Sequence, residues 1–314
     1  MLLCSGSSHP SLAQEIAAYL GVALTPVQLG HFPDGEISVE IPVSVRGEDL
    51  FVLQTIARQP NEYLVELLIM IDALKRASAK SITAVIPYFG YCRQDRKSRP
   101  RDPITAKLVA NLIATAGATH LLTMDLHAGQ LEGFFDIPVD HLHAMPLLGK
   151  SFLERAGGQN YVVVAPDIGS VKLAHTYAKF LHTDLVIIDK QRLSPQLTEV
   201  VAVIGDVEEK NVLLADDMCS TGETLMSAAK ACREKGAKKI FAAVTHGWFD
   251  EKTILALEES PIEALLVCNT IPPHPRSTNS TKLNIVSVAP LFGHAIRCIA
   301  SQVPTSMHAS QSAM

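Results

Sequence analysis

The sequence predicts an α/β protein built from two related halves, each a mainly parallel sheet flanked by helices. Three observations predict it. Short apolar runs rich in β-branched residues alternate with segments of helical periodicity along the chain. The block from Phe51 to Phe89 resembles the block from Asn211 to Phe249: apolar strand, loop, helix, a small and basic linker (Arg76-Ala77-Ser78-Ala79-Lys80 against Lys235-Gly236-Ala237-Lys238-Lys239), then a second strand. A weaker match pairs Leu2–Leu20 with Val162–Leu181, so the pitch is about half of the 314 residues, with a boundary expected within 144–160.

Taken in order, Ser81–Pro87, Leu121–Met124, Tyr161–Ala165, Leu185–Ile188, Val212–Ala215, Ile240–Val244 and Leu265–Val267 read as strands buried on both faces, being continuously apolar and not alternating. Between them Tyr63–Ala79, Ile104–Ala116, Lys172–Leu181 and Thr224–Lys235 carry the helical period. The expected division is 1–147, 148–300 and a frayed polar tail, 301–314.

Composition narrows the function classes. Lys plus Arg number 27 against 32 Asp plus Glu, a net charge of −5 that gives no support to a nucleic-acid partner. Apolar residues make up 47% and charged ones 19%, enough to bury large cores and some surface between subunits. The six cysteines make no C-x-x-C pair, which argues against a zinc site or disulfide framework and for a reducing compartment. The N-terminus lacks a basic n-region, and no run approaches the ~18 apolar residues of a membrane span. A soluble, cytoplasmic protein is the expectation.

In an open parallel sheet, ligands gather at the carboxyl ends of the strands. The segment Val212–Leu225 places Asp216-Asp217 at a strand end, followed by Ser220-Thr221-Gly222-Glu223-Thr224 opening a helix. Adjacent carboxylates suit vicinal sugar hydroxyls, and a Thr-Gly-x-Thr turn at a helix N-terminus offers N–H groups and hydroxyls to a phosphate. Together they describe a cradle for ribose 5-phosphate. After an earlier strand, Arg93-Gln94-Asp95-Arg96-Lys97 forms a basic loop whose charges suit a polyphosphate, although alone it reads as a solvated loop. Phe32-Pro33-Asp34-Gly35-Glu36 reads by itself as a turn.

The acid pair with its loop resembles the phosphoribosyl-binding motif of type I phosphoribosyltransferases and ribose-phosphate diphosphokinases. The basic loop, the Phe32–Glu36 segment, Asp125-Leu126-His127, Pro166-Asp167 and Asp189-Lys190-Gln191-Arg192 separate the two. On these the chain is identified as a member of the ribose-phosphate diphosphokinase family from about residue 2 to 300. The resemblance implies two tandem type I phosphoribosyltransferase-like domains, with ATP loops in the first and the ribose 5-phosphate site and catalytic loop in the second. It implies that Phe32, Asp34, Gly35, Glu36, Arg93, Gln94 and Arg96 meet ATP, and that Asp216, Asp217, Ser220, Thr221, Gly222, Glu223 and Thr224 hold ribose 5-phosphate. Lys190 and Arg192 are the implied catalytic pair, and His127 and Asp167 touch a Mg²⁺–nucleotide complex, Asp167 being the better ligand since Mg²⁺ prefers oxygen. It also implies a homo-oligomer, typically a homohexamer.

Several positions depart from the family pattern. Ser220 replaces a third acid, Glu223 a second glycine, Gln191 the middle arginine of the catalytic run, Ser170 a glycine, and Leu173 and His175 two arginines. Two alternatives stay open: a transferase that uses the activated ribose and a base, supported by the second-half loop alone, and a catalytically weak regulatory paralogue, suggested by Ser220, Glu223 and Gln191. His141-Leu142-His143 has metal-like spacing but falls on a connecting segment in the resemblance.

Overall fold

The computed structural model describes residues 1–157, 160–191 and 200–303, with backbone alone for 190, 191, 200, 201, 278 and 279. The chain divides into two compact units. One comprises Met1–Leu142, Thr270–Pro272 and the chain from Val288; the other comprises His143–Asn269 and Pro273–Ser287.

The first unit runs β1 (Leu2–Ser5), α1 (Pro10–Leu20), β2 (Gln28–His31), β3 (Ile37–Glu40), β4 (Asp49–Leu53), α2 (Pro60–Arg76), β5 (Ser81–Ile86), α3 (Thr105–Ala116), β6 (His120–Met124) and β7 (Val139–Leu142). Its sheet has the order β1-β4-β5-β6-β7, all parallel, while β2 and β3 form a separate antiparallel ribbon. The second unit runs α4 (Met145–Ala156), β8 (Tyr161–Ala165), α5 (Val171–Leu181), β9 (Leu185–Gln191), β10 (Val200–Ile204), β11 (Asn211–Cys219), α6 (Glu223–Glu234), β12 (Lys239–Gly247), α7 (Glu251–Glu259), β13 (Ala264–Cys268) and β14 (Leu283–Val286). Its sheet order is β10-β9-β8-β11-β12-β13-β14, with β10 the one antiparallel strand among the described residues. The final helix, α8 (Ala289–Ala300), belongs to the first unit.

The internal repeat is visible in the strand order. β1-β4-β5-β6-β7 of one unit corresponds to β8-β11-β12-β13-β14 of the other, and the two matched blocks are β4-α2-β5 and β11-α6-β12. The units differ after their first matched helix: β2 and β3 stay apart as a ribbon, whereas β9 and β10 extend the sheet beyond β8. Both cores are made by the apolar runs. Val212, Leu213, Leu214 and Ala215 are all buried, as expected of a strand covered on both faces. Phe152 of α4 meets the rings of Tyr161 and Phe241 edge-on at 5.6 and 5.5 Å.

Three expectations shift. The helix expected over 63–79 starts at Pro60, whose fixed φ suits a first helical position, and stops at Arg76 ahead of Ser78 at φ 65°. The strand expected over 212–215 continues through the acid pair to Cys219, because β12 pairs with it as far as Gly247. The expected 148–300 division differs from the compact unit at its end, since α8 packs on α1. Gly293 makes that approach possible: a Cβ there would lie 2.3 Å from Cδ1 of Tyr19, and Arg297 stacks 5.3 Å above the same ring. Of the expected tail, residues 304–314 lie outside the described residues. Among the described residues no helix is long and apolar enough to cross a membrane.

At the carboxyl ends of β1 and β4 the first unit holds its own polar groups. The carboxylate of Glu66, 4% exposed, accepts from the amide of Ser7, the hydroxyl of Ser7 and Nε2 of Gln54, each at 2.7 Å. Oε1 of Gln54 accepts from Ser8 N, and Ser8 Oγ accepts from Thr55 N at 2.8 Å. By the repeat, this corner corresponds to Asp167–Ser170 and Asp216–Thr224 of the second unit. Removing Glu66 takes an acceptor from the buried Nε2 of Gln54 and two bonds from the more exposed Ser7, a lost buried partner being worth ~1–3 kcal/mol. Glu66→Ala is therefore expected to destabilise the first unit by about 3 kcal/mol, read as a lower urea midpoint at unchanged m-value. A midpoint equal to that of the unsubstituted protein would refute the network's role.

Candidate functional site

The second unit gathers three carboxylates. The β8–β11 ladder ends at the Val164–Leu214 pair, while β11 continues along β12, so Asp216 and Asp217 stand beyond the end of β8, where Asp167 follows. The Asp216 carboxyl is pushed up to about 8 by burial first, then by the charges of Asp217 and Asp167. The amide of Asp217 donates to Asp216 Oδ1 at 2.9 Å and offsets part of this. All the charges raising it are acids, and a hard divalent cation, which takes oxygen ligands, fits such a set.

Asp167 is held by a reciprocal turn at the start of α5. The amide of Ser170 donates to Asp167 Oδ1 (3.0 Å), the amide of Asp167 donates to Ser170 Oγ (3.3 Å), and that hydroxyl donates to the Asp167 carbonyl (3.0 Å). These bonds close the turn that leads into α5, and through them the unusual Ser170 holds Asp167 Oδ1 in place. Sequence reasoning treated Ser170 as a departure and missed this, although Asp-x-x-Ser before a helix was a legible signal.

The loop after β11 prepares the N-terminus of α6. Gly222 sits at φ 78°, a left-handed conformation, and a Cβ there would fall 2.7 Å from Cε of Met226. No side chain caps α6, in contrast to α7, where Asp250 accepts from Thr253 N at 2.8 Å. An uncapped N-terminus offers first-turn N–H groups and the positive end of the helix dipole to an anion. Ser220, Thr221 and Glu223 are exposed and Thr224 is half-buried, so hydroxyls and one carboxylate surround that end. The thiol of Cys219 is pushed up to about 12, chiefly by burial and then by Asp216, which excludes it as a nucleophile at neutral pH.

In the first unit the candidates fall at three places. Phe32, Asp34, Gly35 and Glu36 form the tip of the β2–β3 ribbon, closed by Phe32 N to Glu36 O (2.8 Å) and Gly35 N to Phe32 O (2.9 Å), with Gly35 at φ 93°. Phe32 is 53% exposed there, an aromatic face presented to solvent. After β5, Tyr88, Phe89 and Cys92 anchor the basic loop in the core, and Gly90 passes where a Cβ would lie 2.6 Å from the Ile56 carbonyl. Gln94 ties the loop to α3, its side-chain oxygen accepting from Thr105 and its carbonyl from Ala106 N (3.2 Å). Asp95 accepts from Gln130 (2.8 Å). Arg93, Arg96 and Lys97 are left exposed, so the loop is rigid at its apolar base and cationic at its rim.

The third place is the turn after β6. Asp125 adopts φ 36° there and exposed His127 follows. The amide of Leu126 donates to Nε2 of His141 at 2.9 Å; Nδ1 of that ring therefore carries the proton and donates to Glu132 Oε1 at 2.5 Å. Through these two bonds His141 anchors the turn, and its ring also stands with Asp125 and His143 in a group whose potential ligand atoms lie within 4.8 Å of one another. Of the expected catalytic pair, Lys190 lies on β9 with its backbone opposite Val201, and Arg192 lies outside the described residues.

A family model described as the N-terminal domain of ribose phosphate pyrophosphokinase matches residues 1–117, and a phosphoribosyl synthetase-associated domain matches 191–308. Among curated relatives, a ribose-phosphate pyrophosphokinase of Clostridium acetobutylicum is 48% identical, covering 96% of this chain and 95% of that protein. One from Caldanaerobacter subterraneus is 51% identical over 93% and 92%. Among solved structures, the phosphoribosylpyrophosphate synthetase of Mycobacterium smegmatis superposes with a TM-score of 0.91 at 42% identity, over 96% of this chain and 99% of that one.

Proposed function

The chain belongs to the ribose-phosphate pyrophosphokinase family, and from that premise we propose how its residues divide the work. The protein is a diphosphotransferase that passes the diphosphoryl group of ATP to ribose 5-phosphate, giving 5-phospho-α-D-ribose 1-diphosphate and AMP. The anomeric oxygen forms a bond to the β-phosphorus, the bond from that phosphorus to the α-bridging oxygen breaks, and the hydroxyl proton passes to solvent. Such a transfer depends on alignment and charge stabilisation more than on covalent catalysis.

Asp216 and Asp217 fix the ribose hydroxyls, and Ser220–Thr224 with the uncapped start of α6 hold the 5-phosphate. The observation that carries this reading is the half-buried acid cluster beside that uncapped helix. Phe32 stacks on the adenine, Asp34 and Glu36 take its amino edge with Gly35 turning the chain between them, and Arg93, Gln94 and Arg96 hold the polyphosphate. Lys190 and Arg192 close over the transferring group. Mg²⁺, when bound, offsets the charge of the polyphosphate; Asp167 and His127 are the residues assigned to the Mg²⁺–nucleotide complex, Asp167 being preset by Ser170.

The test is AMP formation by the purified chain. AMP from ATP only when ribose 5-phosphate is present supports the reading. No turnover, or diphosphate release from the activated ribose only with a base, overturns it. Glu223 adds a negative charge where the phosphate docks, and two exposed like charges ~4 Å apart repel by about 1 kcal/mol in water. Glu223→Gly is accordingly expected to lower KM for ribose 5-phosphate roughly two- to fivefold; an unchanged or higher KM contradicts this placement of the charge.

A homo-oligomer, with a homohexamer as the assembly, is supported by exposed apolar residues on neighbouring helices: Val65 of α2 at 46%, and Leu108 and Leu112, one turn apart on α3, at 56% and 40%. A cytoplasmic setting is supported by six buried cysteines that form no disulfide.

A further inference from the structure

We propose that His141 is a positioning residue for the nucleotide site: its imidazole sets the backbone turn that presents His127. The inference rests on the assignment of His127 to the Mg²⁺–nucleotide complex and adds to it the group that holds His127 in place.

Four observations carry it. The chain leaves β6 through Asp125, whose φ of 36° lies in the sparsely populated left-handed region that Asp tolerates better than most non-glycine residues. Two hydrogen bonds to β7 hold it there, one from Asp125 N to the Leu142 carbonyl (3.0 Å) and one from Leu126 N to His141 Nε2 (2.9 Å). The other nitrogen of the same ring donates to Glu132 (2.5 Å), which lies in the short 3-10 turn Gly129–Phe134 that follows His127. One imidazole thus grips the residue before His127 and the turn after it. The His141 side chain is only 9% exposed, so its ring has little freedom, whereas Glu132 is 48% exposed. Partners that orient a metal-site histidine from behind typically change metal affinity or activity ~10–100-fold when removed.

His141→Phe keeps a ring and removes both nitrogens. In the ligand-free protein it is expected to raise amide exchange at Leu126 about tenfold, with the amides of β5 unchanged. In the enzyme it is expected to raise KM for MgATP roughly tenfold while KM for ribose 5-phosphate stays put. His141→Gln retains a side-chain oxygen able to accept from Leu126, and is expected to restore slow exchange and most of the affinity; a space-filling role would show no such rescue. Glu132→Ala, at an exposed carboxylate, should shift both readouts in the same direction by less, and serves if His141→Phe does not fold.

Unchanged Leu126 exchange in the variants overturns the inference. So does faster exchange with an unchanged KM for MgATP, provided that His127→Ala raises that KM. If His127→Ala also leaves it unchanged, the assignment of His127 falls, and the role of His141 falls with it.

Discussion

Lys190→Ala is expected to lower kcat by at least ~10²–10³-fold, the usual loss on removing one preorganised charge-stabilising donor. β9 runs parallel to β8, so its carboxyl end lies on the same sheet edge as the segment that carries Asp167. Lys190 is the last residue but one of that strand, and its backbone is fixed by the ladder with β10, opposite Val201. The ladder uses main-chain groups, so truncating the side chain should leave cooperative unfolding intact. Initial rates at saturating MgATP and ribose 5-phosphate, beside a thermal melt, separate loss of chemistry from loss of fold. Near-normal turnover would remove Lys190 from the catalytic pair.

The second large effect is a stability gained as activity is lost. In the ligand-free protein Asp216 is raised from 3.8 to about 8, so between those values the folded state holds a proton that the unfolded state has released. Stability therefore falls as pH rises through that window, by at most ~1.4 kcal/mol per unit, and levels off above it. Asn cannot ionise. Asp216→Asn should flatten the slope and raise Tm most at pH 8, at roughly 2–4 °C per kcal/mol gained. On the proposed assignment the same change removes an acceptor for a ribose hydroxyl and is expected to cost two or more orders of magnitude in kcat/KM, roughly the ~10²-fold of a lost charged contact. Calorimetric melts at pH 5.5, 7 and 8 without ligands check it. Parallel pH slopes for the two proteins would show that Asp216 does not carry the strain.

The elements were largely legible because the apolar runs are continuous and the helices periodic, and the same runs exposed the repeat. Where the reading stopped short, long-range packing decided. Asp disfavours strands, so the run at 212–215 stopped at the acids when read locally, yet pairing with β12 carries β11 to Cys219. Nothing local in α8 says which unit it joins; the decision lies in Tyr19 and the missing side chain at Gly293. At the site, the acid pair and the glycine turn were visible as a motif. The strain on Asp216 was not, since it arises from burial and from Asp167, far off in sequence, as well as from its neighbour Asp217. Nor was the grip of His141 on Leu126 and Glu132, which no helical or strand period relates.

At the centre stands the proposed division of labour, in which Asp216 and Asp217 read the sugar hydroxyls while the uncapped turn of α6 reads the 5-phosphate. Titration calorimetry with ribose 5-phosphate, 2-deoxyribose 5-phosphate and ribose, under one set of buffer and magnesium conditions, tests each half separately. The parent compound is expected to bind, and each analogue to lose roughly tenfold or more in affinity, because a site built to pair a polar group is left unsatisfied without it. Equal affinity for ribose and ribose 5-phosphate would contradict the phosphate turn. Equal affinity for the deoxy compound would contradict the acid pair.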